Sequence, residues 1–474
     1  MMSLVDTSVV GLRSSLELAA LGPATTVCDS LLYCFAFLAV ATTNLLATAL
    51  ADKDETEAQR VVSHALAIAV SFGVAVLAAV QLFAPFLLRV ASGGSSPALI
   101  PPALLYTRFR ILSAPFCLGA MVAQAALLGA KDSLTPLTVV LITGGINAVG
   151  DLGLAWALKF GIAGAAVATA ASDVVSMALL GRALQRMQGV RRYPFMRLPN
   201  LTSLRHFLSF AGPVFFALLM KVICYSSMTN TAAGCGNVQL ASHNVMLRIF
   251  FFFTTFGDSL SQTAQAFLPG MLSRDADDEA RSLAAAAAAA AAAGPRESGR
   301  VAAARAEPSN SNRLIRKLLW LALGVGTLNA SFAGLLPCEL PMLFTKDALI
   351  VKELRALSPL LSWSLLSQAL VMSCEGILLA KRELSFLAGI YLCNTMLMLG
   401  WLRSVRRWGP GAGGLHGVWF GLLGFQALRF VQFGLRLMWV KRRERAKARE
   451  ARQRAFDAAF AATVDARPLA ATSI

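Results

Sequence analysis

Leu127-Leu128-Gly129-Ala130-Lys131-Asp132 ends one apolar segment of the chain, and Leu378-Leu379-Ala380-Lys381-Arg382-Glu383 ends another about 250 residues later. Two further pairs of stretches repeat in the same order, Leu18–Ala20 with Leu240–Ser242 and 161–165 with 414–418. Duplicated sets of apolar segments are typical of membrane transporters, in which two related halves rock around a central site. The repeat therefore predicts two similar halves built from membrane-spanning helices.

The composition fits a membrane protein, since 56% of the 474 residues are hydrophobic and 15% are charged. A spanning helix needs about twenty apolar residues. Eleven segments are long enough: 19–50, 61–90, 103–129, 133–158, 162–181, 205–233, 239–271, 314–343, 356–380, 385–402 and 415–440. A twelfth, 1–12, is about half the required length. The predicted fold class is an all-α polytopic membrane protein, with twelve transmembrane helices (the first truncated) in two pseudo-symmetric six-helix lobes.

The lobes and their connections can be placed along the chain. We expect an N-lobe at 1–187 with helices 1–6, an inter-lobe loop at 188–204, and a C-lobe at 205–440 with helices 7–12. An Ala-rich insert at 273–312 interrupts the C-lobe, and we expect it to be a loosely ordered cytoplasmic segment because it has no apolar face to bury. A basic tail follows at 441–474, whose first part we expect to remain helical.

The net charge of +17 is distributed by side of the membrane, because Lys and Arg are concentrated in the loops after the even-numbered helices and in the tail. That side is predicted to be cytoplasmic or stromal. The expected partners are therefore membrane lipids, with anionic headgroups at the tail, and nucleic acid is not expected. The eight cysteines form no CxxC pair, so we predict buried thiols and neither a metal site nor a disulfide framework. We expect a monomer.

Ionisable groups inside spanning segments are costly and therefore indicate transport pathways or coupling sites. Asn147 and Asp151 lie one helical turn apart on one face. Their oxygens could bind a small cation, or the carboxyl group could bind a proton; alternatively, Asp151 marks a helix end at the headgroups. Asp6 is a further acid in an apolar stretch, and Thr169 could add a hydroxyl ligand. Asp173, one turn later, is expected to face the end of its helix.

The remaining intramembrane polar residues have several interpretations. Asp29 and Asp258 are expected to form interhelical hydrogen bonds. Lys221, Arg248, Arg429 and Arg436 are the cationic counterparts of these acids, and all four lie in the C-terminal half. Lys221 could pair with an acid or meet an anionic substrate, whereas Arg436 is expected to reach the interface. His243 is interpreted as a helix-packing residue, with proton transfer as the alternative.

The chain resembles the multidrug and toxic compound extrusion (MATE) family over nearly its whole length. Ser3–Thr7 with Gly11 resembles the first-helix motif of the family, Gln124–Ser133 the end of its fourth helix, and Ile146–Ala170 its fifth and sixth helices. Leu260-Ser261-Gln262-Thr263-Ala264-Gln265 resembles helix eight of the plant and algal plastid-type branch. The resemblance implies two six-helix lobes around a cavity that opens alternately to either side.

The resemblance also implies a cation-coupling site in the N-lobe. In members with such a site, an acid on helix one joins an Asn and an Asp on helix five and a Thr on helix six. These positions correspond to Asp6, Asn147, Asp151 and Thr169. Many members also place a Glu on helix seven, but this chain has no acid at 207–233, so coupling is expected to run through the N-lobe. The candidates for the substrate cavity are Gln124, Lys221, Gln262 and Gln265.

These residues predict a secondary antiporter that exports a small organic solute in exchange for H⁺ or Na⁺. No cofactor is expected beyond the coupling ion, which could be a Na⁺ at the coupling site. The alternative is a flippase for lipids or lipid-linked saccharides. An enzyme is not expected, because the hydrolase-like stretch Gly257-Asp258-Ser259-Leu260 lies in an apolar helix. The resemblance favours a plastid envelope, with the plasma membrane as the alternative.

Overall fold

The computed structural model describes residues 15–91, 99–158, 160–186, 201–293, 309–341, 347–407 and 412–465. This part of the chain forms α-helices and one short π-helix, without any strand. The elements are α1 (Ser15–Tyr33), α2 (Ala36–Ala51), α3 (Glu55–Ala91), α4 (Ile100–Ile111), α5 (Ala114–Gly129), α6 (Leu134–Gly150), the π-helix (Asp151–Ala157), α7 (Gly161–Arg186), α8 (Leu201–Ala233), α9 (Asn237–Ala293), α10 (Asn310–Glu339), α11 (Ala348–Ala380), α12 (Leu384–Arg407) and α13 (Ala412–Asp465).

The predicted all-helical membrane fold is confirmed. Among the described residues, nine helical stretches are long and apolar enough to cross a membrane, and a bent pair raises the number to ten. The predicted span at 239–271 lies inside α9, and the truncated first helix at 1–12 lies outside the described residues. α1 and α2 together form one candidate span, Ala20–Ala51, with a turn at Cys34 and Phe35.

The chain divides into two compact units, Met1–Val222 and Ile223–Ile474. The boundary falls within α8. Of the predicted inter-lobe loop, residues 188–200 lie outside the described part of the chain, and 201–204 form the first turn of α8. The two units are described separately below.

In the first unit, a bend divides one candidate span. α4 and α5 meet at 51° near Ser113, and Pro115 occupies the first turn of α5. Proline has no backbone N–H, so it cannot continue the hydrogen-bond ladder of α4 into α5. α3 packs closely against the bend, since a Cβ added to Gly73 would lie 2.4 Å from Cα of Pro115. Only glycine fits this contact without a shift of the backbone.

α6 and the π-helix bury one face, which is mostly polar, in the interior of the first unit. Val139, Thr143, Asn147 and Asp151, spaced by four residues, are all buried. The opposite face is apolar and open: Leu141 is 68% and Val149 is 70% exposed. Such a face suits contact with lipid chains. The spacing of polar residues therefore turns the predicted coupling site toward the protein and away from the lipid.

The segment after the π-helix is held by a contact from α1. Gly161 has φ +56°, a left-handed conformation that favours glycine, and α7 begins there. The Glu17 carboxylate accepts a hydrogen bond from the backbone N–H of Ile162 at 3.0 Å. A carboxylate at a helix N-terminus is favourable because the unpaired N–H groups carry partial positive charge. The contact fixes the residue at which α7 starts, and therefore how far along the helix Thr169 lies.

In the second unit, the Ala-rich insert differs from the expectation. α9 continues without interruption to Ala293, so the insert is helical over 273–293 and not loosely ordered there. Ten consecutive alanines, the strongest helix formers, account for the extension. The Asp275 carboxylate accepts hydrogen bonds from the backbone N–H groups of Asn310 at 3.1 Å and Ser311 at 3.0 Å. The two ends of the insert are thereby joined at its base.

The basic tail continues the last span as a helix, as predicted. α13 runs for 54 residues to Asp465, and the charged side chains at 441–450 are exposed. Two ion pairs connect α13 to the turn between α11 and α12: Arg436 with Glu383 and Lys381 with Glu444, each at 2.6 Å. Arg436 also lies over the ring of Trp439 at 4.2 Å. This arrangement agrees with the expected position of Arg436 near a membrane interface.

Candidate functional site

The first unit brings together three of the four predicted coupling residues. Asn147, Asp151 and Thr169 are 1%, 0% and 5% exposed. The Asn147 Nδ2 group donates to Thr169 Oγ1 at 3.1 Å, and the Thr169 hydroxyl donates to the carbonyl of Ala165 at 2.9 Å. Asp151 lies one helical turn beyond Asn147 on the same face. Asp6 lies outside the described residues.

The hydrogen bonds define the direction of the Asn147 amide. Because Nδ2 points to Thr169, Oδ1 points elsewhere, and this buried oxygen has no hydrogen-bond partner in the described part of the chain. An unsatisfied buried acceptor is rare and usually marks a missing ligand, proton or water. Asn147 Oδ1, the Asp151 carboxylate and Thr169 Oγ1 are oxygens of the kind that bind a small cation.

The local backbone also distinguishes this site. Asp151 is the first residue of the π-helix, a conformation that is uncommon and is often found at functional sites. α7 approaches the π-helix so closely that a Cβ on Gly164 would lie 2.7 Å from the backbone of Ala155. The carboxylate is therefore carried on a locally irregular helix that packs against the helix carrying Thr169.

A second polar group of the first unit was missed in the sequence. Arg110 Nη1 pairs with Asp173 Oδ2 at 2.6 Å and donates to Ser113 Oγ at 2.9 Å, and the Ser113 hydroxyl donates to the same Asp173 oxygen at 2.7 Å. The expectation that Asp173 faces a helix end is wrong, because it binds Arg110 in the interior. The sequence signal was present: Arg110 lies within the predicted span 103–129.

The four cavity candidates have different surroundings. Gln124 on α5 is half-buried, and Lys221 on α8 is buried with 9% exposure. Gln262 on α9 is exposed, whereas Gln265 is buried and donates to the Ser261 hydroxyl of its own helix at 3.2 Å. Gln262 is therefore the most accessible of the four in this conformation.

The second unit contains a buried charge network that the sequence reasoning did not identify. Glu375 (6% exposed) on α11, Tyr391 (0%) on α12 and Arg429 (1%) on α13 form it. The Tyr391 hydroxyl donates to Glu375 Oε2 at 2.5 Å and accepts from Arg429 Nη1 at 3.0 Å. The phenol thus bridges the carboxylate and the guanidinium.

Amide side chains complete the surroundings of Arg429. Its Nη2 group donates to the side-chain oxygens of Gln368 and Gln426, and the Gln426 amide donates to Gln368. The guanidinium also lies over the Phe425 ring at 4.4 Å. A buried arginine is costly without partners, and here its direct hydrogen-bond partners are neutral oxygens.

The network continues along α13 toward the basic tail. Asn394 and Gln432 exchange two hydrogen bonds, at 2.7 and 3.1 Å, between α12 and α13. Gln426, Arg429, Gln432 and Arg436 are spaced by three or four residues, so they lie on one face of α13. This polar seam joins α11, α12 and α13 from Gln426 to the ion pairs near the tail.

The sequence contained a signal for Glu375 as well. It stands three residues before the repeated Leu378–Glu383 stretch, and Gln124 stands three residues before Leu127–Asp132. The repeat thus places a carboxylate in the second half where the first half has an amide.

The described residues contain no group of three or more His, Cys, Asp or Glu side chains that could hold a metal ion. The cysteines of this part of the chain are present as free thiols.

Comparisons with known proteins agree with this architecture. The MatE family model matches residues 1–152. The Arabidopsis thaliana protein DETOXIFICATION 47, chloroplastic, is 34% identical over 438 residues, which cover 92% of this chain and 74% of that protein. DETOXIFICATION 44, chloroplastic, from the same plant is 28% identical and is matched over 92% of this chain and 78% of its own length.

Solved structures of low sequence identity share the fold. A Vibrio cholerae MATE transporter, VcmN, superposes with a TM-score of 0.76 at 17% identity, covering 92% of each chain. An outward-facing multidrug resistance MATE family transporter of the MOP superfamily gives 0.72 at 20% identity, covering 93% of this chain and 92% of that one. With the sequence match to DETOXIFICATION 47, the conclusion is that the chain belongs to the MATE family of multi-pass membrane transporters.

Proposed function

We propose that the chain is a secondary antiporter, in which H⁺ or Na⁺ binds at Asp151 and drives export of a small organic solute. The observation that carries this proposal is the Asp151 carboxylate, which is fully buried within a spanning helix beside the Asn147–Thr169 pair. A buried acid of this kind is costly, so its presence is best explained by binding of a cation during transport.

The coupling ion acts through the difference in its affinity for the two conformations. An ion that binds equally to both cannot shift their equilibrium. A proton would neutralise Asp151. A Na⁺ would be held by the Asp151 carboxylate, Asn147 Oδ1 and Thr169 Oγ1, with Asp6 as the expected further ligand. Either ion offsets the cost of burying the Asp151 charge and favours the arrangement in which α6 and α7 remain packed around the site.

The substrate and the membrane are inferred from the relatives. The similar proteins include detoxification proteins and a probable multidrug resistance protein, which supports a small organic solute as cargo. The two chloroplastic relatives support a plastid envelope as the location of this chain.

The test is transport by the purified chain in proteoliposomes under imposed pH and Na⁺ gradients. Asp151→Asn should abolish gradient-driven flux while leaving the fold intact, because asparagine matches the shape of aspartate but binds neither ion as a carboxylate does. Asp132→Asn is the matched control, since Asp132 lies in the turn before α6, where an asparagine can still accept from the Thr135 N–H.

Unchanged gradient-driven flux in Asp151→Asn would refute the coupling role. Gradient-independent movement of lipid in place of solute flux would favour a flippase.

A further inference from the structure

An exposed tryptophan near the end of the last membrane span holds two arginine side chains. Trp439 on α13 is 45% exposed. The guanidinium groups of Arg436 and Arg443 lie over its ring, 4.2 and 5.4 Å from the centroid. The three residues are spaced by three and four positions, so they lie on one face of α13. Cation–π contacts of this kind orient a guanidinium group without neutralising its charge.

This face of α13 is directed toward the turn between α11 and α12. Arg436 pairs with Glu383, and Lys381 pairs with Glu444, each at 2.6 Å. The Arg436 guanidinium also lies over the ring of Phe386, in the first turn of α12, at 4.9 Å. The turn, the start of α12 and the base of the basic tail are therefore joined into one surface of the second unit.

The charge of this surface is strongly positive. We define the basic corner as residues 381–386 and 436–445. Its two acids, Glu383 and Glu444, form the ion pairs just described, and its seven basic residues are Lys381, Arg382, Arg436, Lys441, Arg442, Arg443 and Arg445. The N-terminus of α12 adds partial positive charge at the same place, because its first backbone N–H groups have no partner within the helix. The basic corner therefore attracts anions.

Charged residues of α9 and α10 lie at the same end of the second unit. The acids of α9 are at 275–279, where Asp275 accepts from the first N–H groups of α10 and Asp278 pairs with Arg281 at 3.6 Å. Basic residues accompany these acids: 273–281 and 310–317 together contain five basic and four acidic residues. The neighbouring helix ends thus carry almost no net charge, and they do not cancel the positive charge of the basic corner.

The basic corner lies where α13 changes from apolar to charged. Val431, Leu435 and Trp439 are spaced by four residues, and the first two are more than half exposed, so an open apolar stripe leads along α13 to the tryptophan. Exposed charged residues begin two positions later, at Lys441. Tryptophan is enriched at the level of lipid headgroups, with apolar side chains on one side and charges on the other. The anion next to the basic corner is therefore a headgroup whose acyl chains meet the apolar stripe.

The backbone at Arg382 does not require an arginine. Arg382 has φ +59°, a left-handed conformation in which glycine is the usual residue at the end of a helix. The N–H groups of Arg382 and Glu383 donate to the carbonyls of Leu379 and Leu378, both at 3.0 Å, and these backbone bonds close the end of α11. The half-buried side chain of Arg382 is thus not needed for the turn, and it lies between the two residues that pair with α13.

We propose that the basic corner is a binding site for the phosphodiester headgroup of an anionic membrane lipid. Arg382 and Arg443 donate hydrogen bonds to the phosphate oxygens, as guanidinium groups do to phosphate. Trp439 lies beside the ester groups of the lipid, and an acyl chain lies along Leu435 and Val431. The inference goes beyond the proposed transport function and does not depend on it, because the Asp151 site belongs to the other unit.

The test measures lipid binding to the purified, delipidated full chain in an uncharged detergent by native mass spectrometry. The probes are phosphatidylglycerol and phosphatidylcholine with the same acyl chains. We expect one phosphatidylglycerol to bind at least about tenfold more tightly than phosphatidylcholine, since each basic residue near a headgroup contributes about fivefold. High salt should weaken this preference, because it screens the charges. A large excess of inorganic phosphate should not displace the lipid, because free phosphate makes no contact with the apolar stripe.

Two variants and a matched control assign the binding to the proposed side chains. Arg382→Gly and Arg443→Gln should each weaken phosphatidylglycerol binding by about fivefold, and the double variant by about 25-fold. Arg382→Gly should leave the midpoint of unfolding unchanged or raise it, because glycine suits the left-handed backbone. Lys53→Gly is the control: Lys53 has φ +57°, so the variant makes the same change of backbone and charge, but in the first unit and between Asp52 and Asp54. It should bind phosphatidylglycerol like the wild type.

Four results would overturn the proposal. Equal affinity of the folded wild type for the two lipids would show that the headgroup charge is not recognised. Wild-type binding by the double variant would show that the two arginines do not form the site. An equal loss in Lys53→Gly and Arg382→Gly would show that only the overall charge of the protein matters. Displacement of the lipid by inorganic phosphate would show that the basic corner takes a free anion and not a lipid.

Discussion

Replacement of Tyr391 by phenylalanine is the sharpest test of the buried charge network. The change keeps the ring, which is 6.1 Å from the Phe433 ring centroid, and removes only the hydroxyl. Two bonds to charged groups are lost, one to Glu375 and one from Arg429. Each such bond contributes about 1.5–3 kcal/mol, so their sum is about 3–6 kcal/mol.

Remaining contacts reduce this sum. Arg429 keeps its bonds to Gln368 and Gln426, so the main loss falls on the Glu375 carboxylate, which no longer accepts from the phenol. We therefore expect Tyr391→Phe to lower the free energy of unfolding by about 3 kcal/mol, at the lower end of the range. A neutral interhelical hydrogen bond in a membrane protein contributes only about 0.6 kcal/mol on average. The loss expected for bonds to charged groups is therefore large enough to be distinguished from the loss of a neutral bond.

The assay is unfolding of the purified protein by increasing sodium dodecyl sulfate in mixed micelles, followed by ellipticity. Glu375→Gln and the double variant complete a double-mutant cycle, which should show a coupling energy of about 1 kcal/mol or more between residues in contact. Gln432→Leu is the control, because it removes a neutral amide pair with Asn394 between the same two helices. A loss in Tyr391→Phe no larger than in this control, or additive single effects, would refute a charge network bridged by the phenol.

Three further predictions concern helix contacts outside this network. Gly73→Ala should lower stability by about 1–3 kcal/mol, because its Cβ would meet the backbone at the bend between α4 and α5; Gly144→Ala, which meets no atom within 4 Å, should be neutral or slightly stabilising in the same denaturation assay. Deletion of 281–304 should leave proteoliposome transport unchanged, because the Asp275 carboxylate, which accepts from the first N–H groups of α10, is retained. Loss of transport by a correctly inserted deletion variant would contradict this expectation. The pKa of Asp54 is lowered, chiefly by the Thr56 hydroxyl, which donates to it at 2.6 Å. The Asp54 carboxylate therefore stabilises the first turn of α3 fully above the usual aspartate pKa of about 3.9, and this stabilisation is lost as the pH falls through the lowered pKa. Amide exchange in that turn, after correction for intrinsic pH effects, should become faster as the pH falls through this range, and Asp54→Ala should remove this pH dependence.

The sequence was most informative where hydrophobicity and periodicity determine the outcome. Long apolar runs predicted the spanning helices, and the four-residue spacing of Asn147 and Asp151 placed them on one buried face. The Ala-rich insert was assigned wrongly because the absence of an apolar face was given more weight than the helix preference of alanine. The helix propensity of alanine is sufficient to extend α9 as far as Ala293.

Partners of buried charges could not be predicted, because they depend on the packing of helices that are distant in sequence. Asp173 pairs with Arg110, which is 63 residues away in the chain. Glu375 is connected to Arg429 by the Tyr391 hydroxyl, which lies on a third helix. A sequence shows that an ionisable residue lies in an apolar segment, but its rotation about the helix axis and its neighbours follow from tertiary structure. The same limit applies to His243 and Trp419, whose ring centroids are 5.9 Å apart although the two residues are separated by 176 positions in the chain.

The duplicated halves have not retained the same chemistry. An offset of about 250 residues, which aligns the start of α6 with that of α12, places Asn147 and Asp151 opposite the apolar stretch 397–402. The spacing of 251 between Leu127 and Leu378 places Glu375 opposite Gln124. Each half therefore carries a buried acid at a position where the other half has an uncharged residue, on helices that do not correspond.

This asymmetry has a physical consequence for how the halves work. In the proposed mechanism, the acid of the π-helix, next to the Asn147 amide oxygen, gains or loses a cation. An acid bonded through a phenol to an arginine has its charge compensated within the protein and connects three helices. The two halves therefore carry their buried acids in different surroundings, and only the first half is proposed to bind the coupling ion. Gln124→Glu should therefore not create a second network, because the first half has no arginine at the position that corresponds to Arg429: the spacing of 253 between Gly161 and Gly414 places Ser176 there.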